Sequence, residues 1–233
     1  MQQNLQKKRG LVKKVFDNVY NKYDLMNDFM SLGVHRQWKR ELIRQMNPYP
    51  ESTLIDVACG TGDIAKLFAD NTSNKSKILC VDFNKKMLDE GKKRLSNYKN
   101  INWKVSRAEK IDAPNETFDY YTISFGLRNT KNLNSTISEA YRVLKKGGTG
   151  IFQVPLNTSN KQTYEDFTIT DPKERNKAFG QYDHVRVYGM DFFERLEKVG
   201  FKVEKCEYTL KLSEEEKIKY CLPKKEIIPV CIK

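Results

Sequence analysis

The 233 residues contain no apolar run approaching the roughly 18 that a membrane-spanning helix requires. That excludes an integral helical membrane protein and predicts a soluble chain. Met1 to Arg9 leads into no apolar segment and is poor in Ser and Arg, so neither a secretory signal nor a transit peptide is expected. Histidine occurs only twice, and the five cysteines (Cys59, Cys80, Cys206, Cys221 and Cys231) are odd in number, widely spaced and form no C-x-x-C. A disulfide framework and a clustered zinc site are therefore not expected, and no metal is; the thiols read as reduced, in a cytoplasmic setting. There is no internal repeat, and an aromatic content of 11% is too high for a disordered chain.

Acidic residues are the scarcer sign of charge: 42 Lys+Arg against 30 Asp+Glu give a net charge of +12. The basic residues are dispersed, as in Lys7-Lys8-Arg9, Lys85-Lys86 and Lys145-Lys146, which reads first as a solvated surface. An anionic partner (nucleic acid, lipid or a phosphorylated substrate) is the second reading. The length suits one large domain or a domain with appendages.

Apolar spacing predicts helices over 10–22 and 35–46 around an irregular Tyr/Asn/Asp/Met segment, a cap of residues 1–48. From residue 49 to 233 strands and helices alternate: strands at 53–58, 77–82, 101–105, 118–124 and 150–155, helices at 63–70, 86–95 and 134–144. Gly147-Gly148 is expected to stop the last of these helices. This order predicts an α/β fold with a mostly parallel sheet covered on both faces. A helix over 191–199 ended by Gly200, a long strand over 201–212 and another over 226–232 predict an antiparallel hairpin at the sheet edge.

The sharpest motif is Ile55-Asp-Val-Ala-Cys-Gly-Thr-Gly-Asp63, at a strand-to-helix junction. Gly60 and Gly62 permit a tight turn whose backbone N–H groups face a ligand at a helix N-terminus. Asp82 ends the second strand about 20 residues on, where a carboxylate accepts from a ribose diol. Gly60-x-Gly62-x-x-Ala65 also fits a dinucleotide fingerprint, so an NAD-binding protein is the rival. Asp56, inside the preceding strand, would repel a pyrophosphate and attract the amino group and sulfonium of S-adenosylmethionine, and Asp63 adds to the same negative field. The charge logic favours S-adenosylmethionine.

Residues 10–148 resemble the class I, Rossmann-like methyltransferases that C-methylate ubiquinone and menaquinone precursors. The matching stretches are Val15 to Asp28 with its Tyr-Asp-Leu-Met-Asn-Asp, Met30 to Lys39, Asp56 to Ala65, Ile123-Ser-Phe-Gly-Leu-Arg-Asn129, and Ala140 to Gly148. The resemblance implies that Gly60, Thr61, Gly62, Asp82 and the following Phe83 contact the cofactor. It implies the same of Arg107, Ala108 and Ser124, with Arg107 standing where the family often has Asn. Arg128 and Asn129 would face the substrate, a prenylated quinol, and Tyr23 would fold over the pocket as a third catalytic residue. His35 and Trp38 read as packing residues. For a prenylated substrate the positive surface could rest on anionic lipid.

After Gly148 the quinone pattern stops and the chain is similar to a different group of class I methyltransferases, so it reads as a composite joined near 148–150, by natural recombination or by design. Asp183, His184 and Arg186, in the second part, are candidates for a base. The alternative functions are methylation of another small molecule, set by that second part, and a nucleic-acid methyltransferase. Against the latter, the fourth strand ends in Ser124-Phe-Gly rather than an Asn-Pro-Pro-Tyr-type loop, and no RNA-binding module is appended. A cofactor-binding protein without catalysis is a further rival.

Overall fold

The computed structural model describes residues 34–182, 184–219 and 227–233. The expected helix over 10–22 and Tyr23 lie outside them. The described chain opens with α1 (Val34–Met46), whose Leu42, Ile43 and Met46 share one buried face. There follow β1 (Thr53–Val57), α2 (Asp63–Asn71), β2 (Lys77–Asp82), α3 (Lys85–Arg94), β3 (Ile101–Val105) and β4 (Phe118–Ser124). A 3₁₀ turn (Gly126–Asn129), α4 (Leu133–Val143) and β5 (Leu144–Gln153) complete the alternating part.

These strands join β8 (Lys202–Cys206) and β9 (Ile228–Ile232) in a seven-stranded sheet of order β3-β2-β1-β4-β5-β9-β8. The first five strands are parallel, and β9 runs antiparallel between β5 and β8. The chain leaves β1 toward β2 and later returns on the other side of β1 as β4. This reversal opens a crevice at the carboxyl ends of β1 and β4, the usual ligand position in such sheets.

Alternation along the strands divides the core between two faces. Ile55, Val57, Tyr121, Ile123 and Phe152 pack with Ile137, Ala140 and Phe192, while Leu54, Ile78, Tyr120 and Ile151 pack with Leu42, Ile43 and Phe68. Both faces are covered, which is why Leu54 to Val57 are all buried. Each such large side chain stabilises the fold by about 1.5–3 kcal/mol through burial.

Two expectations fail. Helix α4 ends at Val143, because Leu144 is already extended (φ −71°, ψ 141°) and pairs with Phe118, before the two glycines are reached. Gly147 (φ +77°) instead gives β5 a kink where its register shifts, and its N–H donates to the Lys233 carbonyl at 2.7 Å. The strand expected over 201–212 stops at Cys206 and passes into a 3₁₀ turn (Tyr208–Lys211). It is an edge strand and ends where its one neighbour ends, at the Cys206–Ile228 pair.

The three elements that follow β5 went unread in the sequence. β6 (Tyr164–Glu165) and β7 (Arg186–Val187) form a short antiparallel ladder, with α5 (Pro172–Phe179) between them. Asp171 caps α5 by accepting from the Lys173 and Glu174 N–H groups, Pro172 opens the helix and left-handed Gly180 closes it. Helix α6 (Asp191–Val199) ends at Gly200 (φ +115°) as expected, and α7 (Glu214–Lys219) follows β8. Among the described residues no helix is long and apolar enough to cross a membrane.

Candidate active site

Three chain segments meet at the crevice, beginning with the glycine loop. Ala58 (φ +52°), Gly60 (φ +57°) and Gly62 (φ +84°) all adopt left-handed backbone, which reverses the chain within five residues and starts α2 at Asp63. The loop is tied down by Cys59 N–H to the Val81 carbonyl (3.2 Å) and Gly62 N–H to the Cys59 carbonyl (2.9 Å). Trp103 of β3 roofs it: a Cβ added at Gly62 or at Gly91 of α3 would lie 2.5 Å from the indole Cη2. Trp103 therefore requires glycine at both positions.

Asp82 ends β2 beside this loop. One carboxylate oxygen accepts from the Gly60 N–H (3.0 Å) and the other from the Asn84 N–H (2.8 Å). Burial pushes its pKa up, and the backbone donors partly counter that shift. The adjoining Phe83 is 47% exposed. A carboxylate next to an open aromatic face fits the ribose diol and adenine of an adenosyl cofactor.

Asp56 lies under the loop, fully buried. One oxygen accepts from the Thr122 hydroxyl (2.9 Å), and the other has no hydrogen-bond donor among the described residues. Desolvation pushes its pKa to about 7, against the lowering effect of the Thr122 hydrogen bond and Lys39. Burial thus disfavours the charged form and weakens the negative field that the sequence suggests. The expected contribution of Asp63 is overturned: it is paired with Lys39 Nζ (2.5 Å) and with Arg94 Nη2, and these cations hold its pKa at about 2 despite burial. Arg94 also donates to the Thr61 carbonyl (2.8 Å), so this acid braces the loop rather than charging the crevice.

The second segment is the end of β4. Phe125 adopts left-handed backbone (φ +58°), its N–H donates to the Gln153 carbonyl (3.0 Å), and the 3₁₀ turn begins at Gly126. The turn touches the glycine loop directly, because a Cβ added at Gly126 would lie only 2.3 Å from the Ala58 Cβ. Ser124 is committed to Gln153, its hydroxyl donating to the Oε1 at 2.5 Å. Arg128 is partly buried; its Nε is buried without a hydrogen-bond acceptor among the described residues. Asn129 beside it is also partly exposed.

The third segment follows β3. The Ser106 N–H donates to the Asp82 carbonyl (3.1 Å), which brings Arg107 and Ala108 near β2. The Arg107 side chain is half exposed and lies 3.8 Å from Glu109. From the N-terminal side, the Trp38 ring lies 6.1 Å from the Phe125 ring.

Arg186 does not serve as a base. Its guanidinium is buried and donates to the Leu127 and Thr130 carbonyls at 2.8 and 2.9 Å. His184 is buried too, and Asp183 lies outside the described residues. Sequence reasoning missed Gln153, Lys39, Arg94 and Trp103 as parts of the site. Only Trp103, a large aromatic following a glycine loop, left a signal that could have been read.

Residues 1–169 match the ubiE/COQ5 methyltransferase family, most of the chain. The chain belongs to this family. The match runs past the break expected near 148–150 and includes β5 and β6. The ubiE/COQ5 relatives that it resembles include proteins named ubiquinone/menaquinone biosynthesis C-methyltransferase UbiE. The one from Rickettsia massiliae is 49% identical over 149 residues, covering 61% of this chain and 59% of that protein. The one from Rickettsia bellii (strain OSU 85-389) is 49% identical over 148 residues, covering 60% and 59%. The chain thus spans about three-fifths of the length of these relatives.

Among solved structures, an S-adenosylmethionine-dependent methyltransferase from Mesorhizobium loti superposes with a TM-score of 0.65 at 16% identity, covering 86% of this chain and all of that one. The 1,6-didemethyltoxoflavin-N1-methyltransferase of Burkholderia thailandensis, solved with S-adenosylhomocysteine, gives 0.66 at 10% identity over 98% of this chain and 89% of its own. At these identities the likeness shows the fold: the described residues of this ubiE/COQ5 chain carry the class I methyltransferase sheet.

Proposed function

We propose that this protein is an S-adenosylmethionine-dependent C-methyltransferase whose acceptor is a demethylated prenyl quinol. The observation that carries the reading is Arg128: a guanidinium whose buried Nε lacks an acceptor, on a turn in contact with the cofactor loop through Gly126 and Ala58. The family membership supports methyl transfer, and the names of the Rickettsia relatives support the quinol.

S-adenosylmethionine supplies a methyl group already activated on a sulfonium. Gly60, Thr61 and Gly62 would cradle it, with Asp82 accepting from its ribose, Phe83 against its adenine, Arg107 and Ala108 beside the base, and Ser124 and Asp56 toward its amino-acid end. What remains for the chain is to hold the acceptor in line and exclude water. A quinol ring carbon becomes nucleophilic when a neighbouring hydroxyl ionises. Arg128 would stabilise that oxyanion, Asn129 would orient the ring oxygen and Tyr23 would close the pocket. Burial around Arg128 strengthens its attraction for a developing negative charge relative to bulk water.

The test is incubation with methyl-labelled S-adenosylmethionine and a short-chain demethylmenaquinol, with Arg128→Ala in parallel. Label in the ring, lost in the variant while cofactor binding persists, is expected. No transfer by a protein that binds the cofactor would refute the quinol assignment. Methylation of a different small molecule is the second reading, favoured by the hold that Arg186, outside the matched residues 1–169, has on the turn bearing Arg128. Peripheral association with anionic membrane belongs to the same proposal, and failure to float with anionic vesicles would count against it.

A further inference from the structure

Arg186 is the largest fully buried side chain among the described residues, at 2% exposure. Burying a guanidinium is costly unless its charge and donors are satisfied, and an apolar residue of that volume would fill the space more cheaply. Its hydrogen bonds all go to one place. Nη1 donates to the Leu127 carbonyl (2.8 Å) and the Thr130 hydroxyl (3.2 Å), and Nη2 donates to the Thr130 carbonyl (2.9 Å). Those two carbonyls bracket Arg128 and Asn129. They stand at the C-terminal end of the 3₁₀ turn; the Leu127 carbonyl also accepts from the Thr130 N–H (3.2 Å) and hydroxyl (2.8 Å), so Arg186 reinforces a closure the turn already makes and adds a donor to the Thr130 carbonyl.

The guanidinium is itself held from the far side. Its Nε lies 3.3 Å from the Glu165 carboxylate, and the Phe167 ring covers it at 5.6 Å. Glu165 also contacts Arg195 (3.3 Å), and Arg195 Nε donates to Asp191 (2.9 Å). Asp191 in turn accepts from the Thr163 N–H and hydroxyl, both at 2.6 Å. A chain of alternating charges thus runs from α6 through β6 and β7 to the turn. A planar fork spans two carbonyls at once, which a lysine ammonium on a flexible stem cannot reproduce.

We propose that Arg186 is a positioning residue for methyl transfer: it fixes the 127–130 backbone so that Arg128 and Asn129 present the geometry the acceptor meets. The inference rests on the role given to Arg128 above, and it makes the C-terminal segment, beyond the residues matched to the family, a determinant of acceptor geometry.

The experiment compares wild type, Arg186→Gln, Arg186→Lys, Arg128→Ala and the Arg186→Gln/Arg128→Ala double variant as full chains. Amide hydrogen exchange is expected to accelerate at 127–131 in both Arg186 variants while the 58–63 loop is unchanged. Displacing the turn by about 1 Å should lower kcat for the quinol about 100-fold in Arg186→Gln, with the KM for S-adenosylmethionine unchanged and a smaller loss in Arg186→Lys. In the Arg128→Ala background the further loss should nearly vanish, because both residues act through one group. Independent losses in the double variant, unchanged exchange in the turn, or a fall in cofactor affinity matching the fall in kcat would overturn the proposal.

If Arg186→Gln does not fold, Glu165→Gln takes its place; it removes the ion pairs to Arg186 and Arg195 but leaves the Arg186 hydrogen bonds to the turn, and should produce the same pattern at smaller size, and a wild-type pattern there overturns the proposal. A wild type that methylates no quinol defeats the functional reading alone. Exchange at 127–131 then decides the positioning role: acceleration supports it and no change overturns it.

Discussion

Replacing Gly126 by alanine probes the contact between the two loops of the site. The added Cβ would lie 2.3 Å from the Ala58 Cβ, whereas Ile123 Cγ1 at 3.6 Å and the Ala58 Cα at 3.7 Å are ordinary neighbours. Reaching a tolerable 3.4 Å requires the loops to part by roughly 1 Å. Overpacking of this kind costs about 1–3 kcal/mol, which lowers Tm by about 2–12 °C for a chain of this size. Under the proposed function, parting the glycine loop from the 126–129 turn by that distance should also reduce turnover about 100-fold.

The structure names the compensating change as well. Ala58→Gly removes the one atom that clashes, at a residue whose φ of +52° suits glycine. Relief of the left-handed strain is worth about 1 kcal/mol, offset by the greater freedom of glycine in the unfolded chain, so Ala58→Gly alone should be near neutral. The assay is a cycle of thermal melts and methyl-transfer rates over the two single variants and the double. Gly126→Ala should be impaired on both measures, and the double variant should recover most of the loss. A double variant no better than Gly126→Ala would refute the claim that this contact sets the spacing of the loops.

Gly62→Ala meets both a φ of +84° and Trp103 Cη2 at 2.5 Å, so it should destabilise by about 2–4 kcal/mol in melts, with a clear part returned by Trp103→Leu. Asp56, raised to about 7 by burial, keeps a proton in the folded state that the unfolded chain has released, so its contribution weakens stability as pH rises from about 4 to 7. Asp56→Asn should flatten that decline, by roughly 4 kcal/mol at most across the window; urea titrations that stay parallel to wild type would count against it. Asp63, held at about 2, contributes the opposite dependence: its stabilisation is complete above its ordinary value near 4 and is lost as pH falls toward 2. In Lys39→Met/Arg94→Met the Asp63 carboxyl should titrate near or above its ordinary range, read by carbon NMR of the side chain.

Much of this fold could be read locally. Strands β1, β2, β3 and β4 and helices α2 and α3 follow from short apolar runs, cap residues and the spacing of Gly60, Gly62 and Asp82, because these signals arise within a few residues of backbone. The resemblance placed Arg128, Asn129 and Ser124 on a strand end that the structure brings against the glycine loop. What escaped was long-range. Asp63 carries its charge in the sequence, but Lys39 and Arg94, which offset it, arrive from helices on either side. Gly147-Gly148 looks like a helix stop, yet pairing of Leu144 with Phe118 draws the chain into the sheet first.

By itself the sequence determined the alternating layers, the glycine loop and the acid that ends β2, since each depends on backbone geometry or periodicity that residue type dictates directly. The tertiary structure alone decided that Ala58 and Gly126 must be small together, that burial raises the pKa of Asp56, and that Arg186 is a clamp rather than a base. Those roles depend on which groups lie within a few ångströms across segments up to about 70 residues apart, where desolvation and hydrogen bonding outweigh anything the local pattern encodes.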